Sequence, residues 1–170
     1  MKRSVLFLLA GLFLSQGGFM SDTTAQQNTS CTTPEHRQFD FWLGDWEVKG
    51  PKGNIVGTNL ITSEFGGCVL QEHWTNTQGN LGSSFNIFSS SDQKWHQAWV
   101  DDGGTFLNLI GEFKDGKMVL VDAASVVTNR ITWNLVDGDK DRVRQHWEQT
   151  QDGGKTWTTA FDGLYIRKAS

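Results

Sequence analysis

The feature that most limits how this chain can fold is its punctuation. From Asp45 onward, turn residues recur about every dozen positions: Gly50-Pro51-Lys52-Gly53, Gly66-Gly67, Gln78-Gly79-Asn80, Asp92-Gln93, Asp102-Gly103-Gly104, Asp115-Gly116, Asp137-Gly138-Asp139 and Asp152-Gly153-Gly154. Each supplies a residue that tolerates positive φ or an Asx side chain that caps a tight hairpin. Between the turns the side chains alternate with period two, which gives candidate strands at 45–50, 54–64, 67–76, 82–90, 94–102, 105–114, 117–123, 128–137, 141–151 and 156–168. Connections this short force sequential antiparallel pairing, because a parallel crossover needs a dozen or more residues. Ten strands in a meander leave two long edges unless the sheet closes on itself. The expected fold is therefore all-β, an up-and-down antiparallel barrel of about ten strands.

Upstream of the first strand the texture differs. Thr33 as N-cap, Pro34 at the first helical position and Glu35 in the first turn predict a helix start. Phe39, Trp42 and Leu43 then fall at helical spacing, so a short N-terminal amphipathic helix over 34–43 should cap the barrel, ended by Gly44. Earlier still, Lys2 and Arg3 precede an apolar run from Val5 to Leu14, followed by small and polar residues up to Ala25. That order reads as a secretory signal peptide over 1–25, and an apolar run of that length is too short to span a bilayer as a helix. The expected organisation is thus a signal at 1–25, a flexible segment at 26–33 and one barrel domain at 34–170. No transmembrane segment is expected after signal removal, and the expected location is secreted or periplasmic.

Export governs the reading of Cys31 and Cys68, the only two cysteines. In an oxidising compartment an even pair is most economically a disulfide. The alternative is two unpaired thiols, although neither cysteine has a thiolate-stabilising neighbour in sequence. The formal charge is −4, with no basic run. Losing 1–25 would remove Lys2, Arg3 and Asp22, making the chain slightly more acidic, which argues against nucleic acid as a partner.

Eight tryptophans are an unusually high count for a chain of 170 residues. Strand parity sorts most of them, since i and i+2 share a face. Trp46 and Val48 oppose Asp45, Glu47 and Lys49; Cys68, Leu70, Glu72 and Trp74 oppose Val69, Gln71 and His73. Trp95, Gln97, Trp99 and Asp101 oppose Lys94, His96, Ala98 and Val100, while Val143, Gln145 and Trp147 oppose Arg142, Arg144, His146 and Glu148. The expected interior carries Trp46, Trp74, Trp99 and Trp147, interrupted by Glu72, Gln97, Asp101 and Gln145. Such a mixed lining suits a small amphipathic ligand. The alternative is a filled core in which the polar groups satisfy one another and the indole N–H groups. Trp95 and Trp133 stay open between wall and core.

Several stretches resemble known proteins. Phe41-Trp42-Leu43-Gly44-Asp45-Trp46-Glu47-Val48 places a Gly-x-Trp at the start of the first strand after a short helix, and this resembles the opening signature of lipocalins and other calycins. The resemblance implies that a basic residue near the end of the last strand, here Arg167, packs over Trp46. His36-Arg37-Gln38-Phe39-Asp40-Phe41-Trp42, Gly67-Cys68-Val69-Leu70, Trp95-His96-Gln97-Ala98-Trp99-Val100-Asp101 and Phe161-Asp162-Gly163-Leu164-Tyr165 are similar to a bacterial family of exported calycin-like domains. That resemblance implies a fold and brings no established activity. The strand number also resembles nitrobindin-type haem barrels, but His73, His96 and His146 fall on the outward face and the nitrobindin glycine pattern is absent, so haem is disfavoured and no cofactor is expected. Thr150-Gln151-Asp152-Gly153-Gly154-Lys155-Thr156-Trp157 matches the Asp-box hairpin of sialidase propellers. A single copy reads as a structural turn, with Asp152 capping amides and Trp157 packed under the hairpin.

The remaining chemistry is sparse. No two histidines stand two residues apart on a strand, and neither Cys-x-x-Cys nor His-Glu-x-x-His occurs, so no metal site is expected. No Gly-x-Ser-x-Gly elbow appears, and Ser83 and Ser84 read as turn and strand positions. Glu72 and Asp101 form the one suggestive pair, because burial in an aromatic cavity would raise a carboxyl pKa toward that of a general acid or base. Either could instead sit at the barrel mouth or accept bonds from an indole or Arg144. The leading expectation is a binding protein whose ligand meets Trp74, Trp99, Trp147, Gln97 and Gln145, anchored by Glu72 or Asp101. The alternatives are an isomerase, cyclase or hydrolase type of enzyme using Glu72 or Asp101, and a structural or interaction domain without a ligand.

Overall fold

A computed structural model of the protein describes residues 31–122 and 128–169. The expected signal peptide and all of 26–30 lie outside these residues. Ten strands follow in order: β1 (Gly44–Lys49), β2 (Ile55–Glu64), β3 (Val69–Asn76), β4 (Leu81–Ser89), β5 (Lys94–Asp101), β6 (Phe106–Lys114), β7 (Lys117–Val121), β8 (Thr128–Val136), β9 (Asp139–Thr150) and β10 (Thr158–Arg167). Every strand pairs antiparallel with its sequence neighbours, and β10 closes on β1 to complete the barrel. Closure leaves no free edge, which is what the unbroken run of hairpins demands. Two of the Asp-Gly turns, Asp115-Gly116 and Asp137-Gly138, have positive φ at both residues, the geometry whose twist matches that of the flanking strands.

The barrel has two distinct ends. At the lower end lie the start of β1, the close of β10 and the helical segment before β1. At the upper end lie the turns β1–β2, β3–β4, β5–β6 and β9–β10. The helical segment falls where the sequence places it, but it is wound as two 3-10 turns, Pro34–Arg37 and Asp40–Trp42, rather than one α-helix, and it lies well inside the chain rather than at its terminus. Thr33 holds the extended N-cap backbone without a side-chain cap; its hydroxyl donates to Glu35 instead, at 2.6 Å. The 3-10 winding has a packing reason. At three residues per turn Phe39 and Trp42 eclipse each other, and both drop together into the lower end of the barrel.

There Phe39 stacks on Trp42 with centroids 5.0 Å apart and meets Trp95 and Trp133 edge-on at 5.6 and 5.3 Å. Trp95 and Trp133, open between wall and core from sequence, are thus fully buried core residues. Each such ring removes 150–250 Å2 from water, about 4–6 kcal/mol per ring before conformational entropy is charged against it. Cys31 and Cys68 form a disulfide that ties the chain ahead of the plug to the start of β3. Arg37 reinforces the same junction by donating to the Gly67 carbonyl.

At the barrel seam the Arg167 guanidinium lies 4.1 Å over the Trp46 ring. It also donates to Asp141 at 2.8 Å and to the Leu43 carbonyl at 2.9 Å. Gly44 makes room for it: a Cβ there would fall 2.0 Å from the guanidinium, and the residue sits at φ +140°. The Asp-box turn is equally complete. Asp152 accepts from the Lys155 and Thr156 amides, both at 2.9 Å, and from the Thr156 hydroxyl at 2.6 Å. Its bonds from Thr156, joined by one from Thr150, hold its pKa down at about 2. The Trp157 indole donates to the Gly154 carbonyl, and Arg130 covers its ring at 3.9 Å. No helix among the described residues is long and apolar enough to cross a membrane.

Candidate functional site

The plug fills only the lower part of the barrel. Above it the interior holds a cavity of about 90 Å3. Its floor is formed by Glu72 of β3, Gln97 of β5 and Tyr165 of β10, all 1–3% exposed. Leu107 and Ile131 form an apolar side, and Gln145 with the half-buried rings of Trp74, Trp99, Trp147 and Phe161 lines the way to the upper end.

Glycines on neighbouring strands set where the upper rings stand. Gly57 faces Trp74 and Gly82 faces Trp99; a Cβ added at either would come within 2.6 and 2.3 Å of the respective indole. The rings therefore lie back against the wall and leave the lumen open. Trp74 meets Phe161 edge-on at 5.8 Å. Two of the indole N–H groups are committed to the protein: Trp99 donates to Asp101 at 3.4 Å and Trp147 to Asn129 at 2.8 Å. What those two side chains can offer an occupant is their π faces.

A directed hydrogen-bond chain runs beneath the rings. Gln97 donates to Asn86 Oδ1 at 2.8 Å and to Ser84 Oγ at 3.3 Å, and Asn86 donates to the same Ser84 oxygen at 2.9 Å. Ser84, with its lone pairs taken, gives its single proton to Glu72 Oε2 at 2.6 Å. Asn59 donates to Glu72 Oε1 at 2.7 Å and to the Tyr165 hydroxyl at 3.3 Å, while Tyr165 donates to Gln145 Oε1. Both carboxylate oxygens thus receive donors, the arrangement that favours the ionised form. Burial opposes it and prevails, so the Glu72 carboxyl is pushed up to about 7 despite the bonds from Ser84 and Asn59. Burial, together with the adjacent Glu72 charge, also pushes the Tyr165 phenol well above its usual range, so Tyr165 stays protonated and serves as a donor.

Six of the residues that parity places inward, Glu72, Trp74, Gln97, Trp99, Gln145 and Trp147, come together around this cavity. Asp101 does not join them. It is the last residue of β5, and its carboxylate folds back over the β5–β6 turn to accept from the Gly103 and Thr105 amides at 3.0 and 2.9 Å. Burial works to raise its pKa, but the bonds from Thr105, Trp99 and Gly103 together outweigh it and hold the carboxyl below its usual range. The pairing of Glu72 with Asp101 as two interior acids is therefore corrected to a single interior acid. Parity assigns a face only while the strand continues, and a turn-capping Asp leaves it at the final residue.

Sequence reasoning missed Asn59, Ser84, Asn86, Phe161 and Tyr165. The first three share the inward parity of Ile61 and Phe88, so the signal was present in the alternation. Tyr165 is the sole tyrosine of the chain and alternates with Gly163 on the inner face of β10. His73, His96 and His146 lie outside the cavity lining; His96 bonds Asp92 at 2.9 Å and His146 bonds Thr159 at 3.1 Å. No group of three or more potential ligands that could hold a metal ion occurs among the described residues. No protein-family model matches the chain, and no curated protein matches it. A ten-stranded closed barrel with an internal cavity is compatible with a lipocalin-like binding fold, and the site's own chemistry has to supply the rest.

Proposed function

We propose that this is an exported lipocalin-like protein that binds a small amphipathic molecule, of about one ring in size, in the upper half of its barrel. The observation that carries the reading is the cavity itself: aromatic faces around open space, with a buried carboxyl and two glutamines placed to orient whatever enters. Its volume sets the scale. A dry apolar cavity of about 150 Å3 suffices for benzene, whereas drug-sized ligands need roughly 300 Å3 or more. At about 90 Å3 the enclosed space is smaller than that benzene-sized cavity, so even a one-ring ligand would extend past the half-buried indoles toward the upper rim. The disulfide supports an oxidising, extracytoplasmic location. The Arg167 stack on Trp46 supports the calycin resemblance.

Tryptophan emission is the natural readout, because three indoles line the cavity. Titration with one-ring compounds of varied polarity should shift or quench the emission saturably, and small molecules that co-purify should be found by mass spectrometry. If no compound perturbs the emission and nothing co-purifies, the binding reading fails and a filled structural barrel takes its place.

A second reading rests on one observation. A buried carboxyl with a pKa of about 7 is poised to exchange a proton with a bound molecule at neutral pH. Turnover of a bound compound, lost in Glu72→Gln while binding persists, would make the barrel an enzyme of the isomerase or cyclase kind with Glu72 as its acid or base.

A further inference from the structure

Resting on the binding reading above, we infer that the cavity selects an organic cation: a small protonated amine whose ammonium head meets Glu72 and whose carbon body lies among Trp74, Trp99 and Trp147. The first ground is a buried carboxyl whose charge, once it ionises, no cation among the described residues lining its cavity balances. Glu72 is 3% exposed, and no Lys, Arg or His among the described residues lines its cavity. The other titratable group in the lining is the Tyr165 phenol, which is neutral. Around Glu72 the side chains on β2, β4 and β5 are Asn59, Ser84, Asn86 and Gln97, none of which titrates.

The second ground is an excess of acceptors. The donor chain ends on the carboxylate, and Gln97 spends its N–H groups on Asn86 and Ser84, which leaves its carbonyl as the acceptor toward the cavity. Asn59, which bonds Glu72 without itself lining the cavity, has its Oδ1 buried without a partner. Toward the cavity Glu72 and Gln97 present acceptors while the Gln145 amide, whose oxygen accepts from Tyr165, keeps its N–H groups as donors, and an ammonium brings three protons to the acceptors. An anionic ligand would add acceptors and charge of the wrong sign.

The third ground is the aromatic lining. An indole face attracts a cation within about 6 Å of its centroid, more strongly when water is excluded. Two other tryptophans of this protein are already covered that way, Trp46 by Arg167 and Trp157 by Arg130. Among the described residues no guanidinium or ammonium covers Trp74, Trp99 or Trp147 in that way.

Three probes of one ring and near-equal shape decide the matter: benzylammonium, benzyl alcohol and benzoate, titrated calorimetrically into the disulfide-bonded protein at pH 8. The expected result is that benzylammonium binds at least about tenfold more tightly than benzyl alcohol, and that benzoate binds most weakly. Glu72→Gln should abolish the preference, bringing the benzylammonium and benzyl alcohol affinities to within about threefold of each other. On the unmodified protein, lowering the pH from 8 to 6 should weaken benzylammonium about tenfold, because the carboxylate is titrated away, and should leave benzyl alcohol unchanged. The pH arm needs no variant, so it decides even if Glu72→Gln fails to fold.

Equal or tighter binding of benzyl alcohol or benzoate overturns the cation assignment while leaving the binding reading intact. A cation preference that survives both Glu72→Gln and the pH change overturns it as well. Failure of all three probes to bind also overturns it, and the broader fluorescence panel then tells separately whether the barrel binds anything.

Discussion

At the lower end of the barrel Trp42, Trp46, Trp95 and Trp133 are 0–1% exposed around Phe39, whereas at the upper end Trp74, Trp99 and Trp147 stay half-buried around open space. The residue type is the same and the outcome opposite. What differs is what enters the barrel from its end. The 3-10 segment thrusts Phe39 and Trp42 into the lower half, and nothing comparable descends into the upper half among the described residues. The polar residues divide unevenly: Glu72, Gln97 and Gln145 line the cavity, whereas at the plug His36 is buried and Gln38 accepts the Trp95 indole N–H. A tryptophan count therefore reports aromatic investment without distinguishing stability from recognition; the packing partner decides which it becomes.

The most severe way to break this contrast is to remove the plug's central ring. Phe39→Ala should cost about 3–5 kcal/mol, read as a fall in the urea midpoint, because the space it leaves is enclosed by rings that cannot collapse onto it. Reduction of Cys31–Cys68 should cost about 3–4 kcal/mol in the chain-entropy view, given a sequence separation of 37, and unfolding with and without reductant checks it.

Glu72 tests the upper half. Its folded pKa lies above that of the unfolded chain, so its contribution to stability is fully present below the unfolded value near 4.5 and is lost as pH rises through about 7. The ligand-free protein should lose roughly 3 kcal/mol of stability between pH 4 and pH 8 on this account, and Glu72→Gln should flatten that slope. Unfolding curves at several pH values decide between the two profiles.

Smaller effects sharpen the comparison. Arg167→Met removes the stack on Trp46 and the bonds to Asp141 and Leu43, and should cost about 1–2 kcal/mol at the seam. Trp99→Leu, in the upper half, should change stability by only about 1 kcal/mol, because the ring is half-exposed, while weakening the best ligand of the panel strongly. If Trp99→Leu destabilises as much as Phe39→Ala, the upper half is core after all and the distinction collapses.

The barrel was legible because hairpin turns and period-two alternation are local signals, and ten strands so joined in succession leave one closed solution. Glu72, Trp74, Gln97, Trp99, Gln145 and Trp147 were legible for the same reason, since parity is a property of a single strand. Asp101 was misplaced because its environment is set by the turn that follows it rather than by its strand. The plug's 3-10 winding was hidden because Phe39 and Trp42 are three apart, a spacing both helix types satisfy; only the fit into the barrel chooses between them. The Asn59–Glu72–Ser84 cluster joins three strands, and no single-strand pattern announces which polar residues will meet across a register.

Gly57 and Gly82 carry a consequence for how this protein could change over generations. Neither contributes a side chain to the cavity, yet each sets how far an indole stands from the axis. A single methyl group at Gly82 would meet the Trp99 indole and swing that ring inward, whereas at Gly57 it would also strike the Thr75 carbonyl at 2.4 Å and press on the neighbouring strand itself. Selectivity by size is thus controlled from the wall, and a substitution at Gly82 would retune the occupant without replacing any group that touches it.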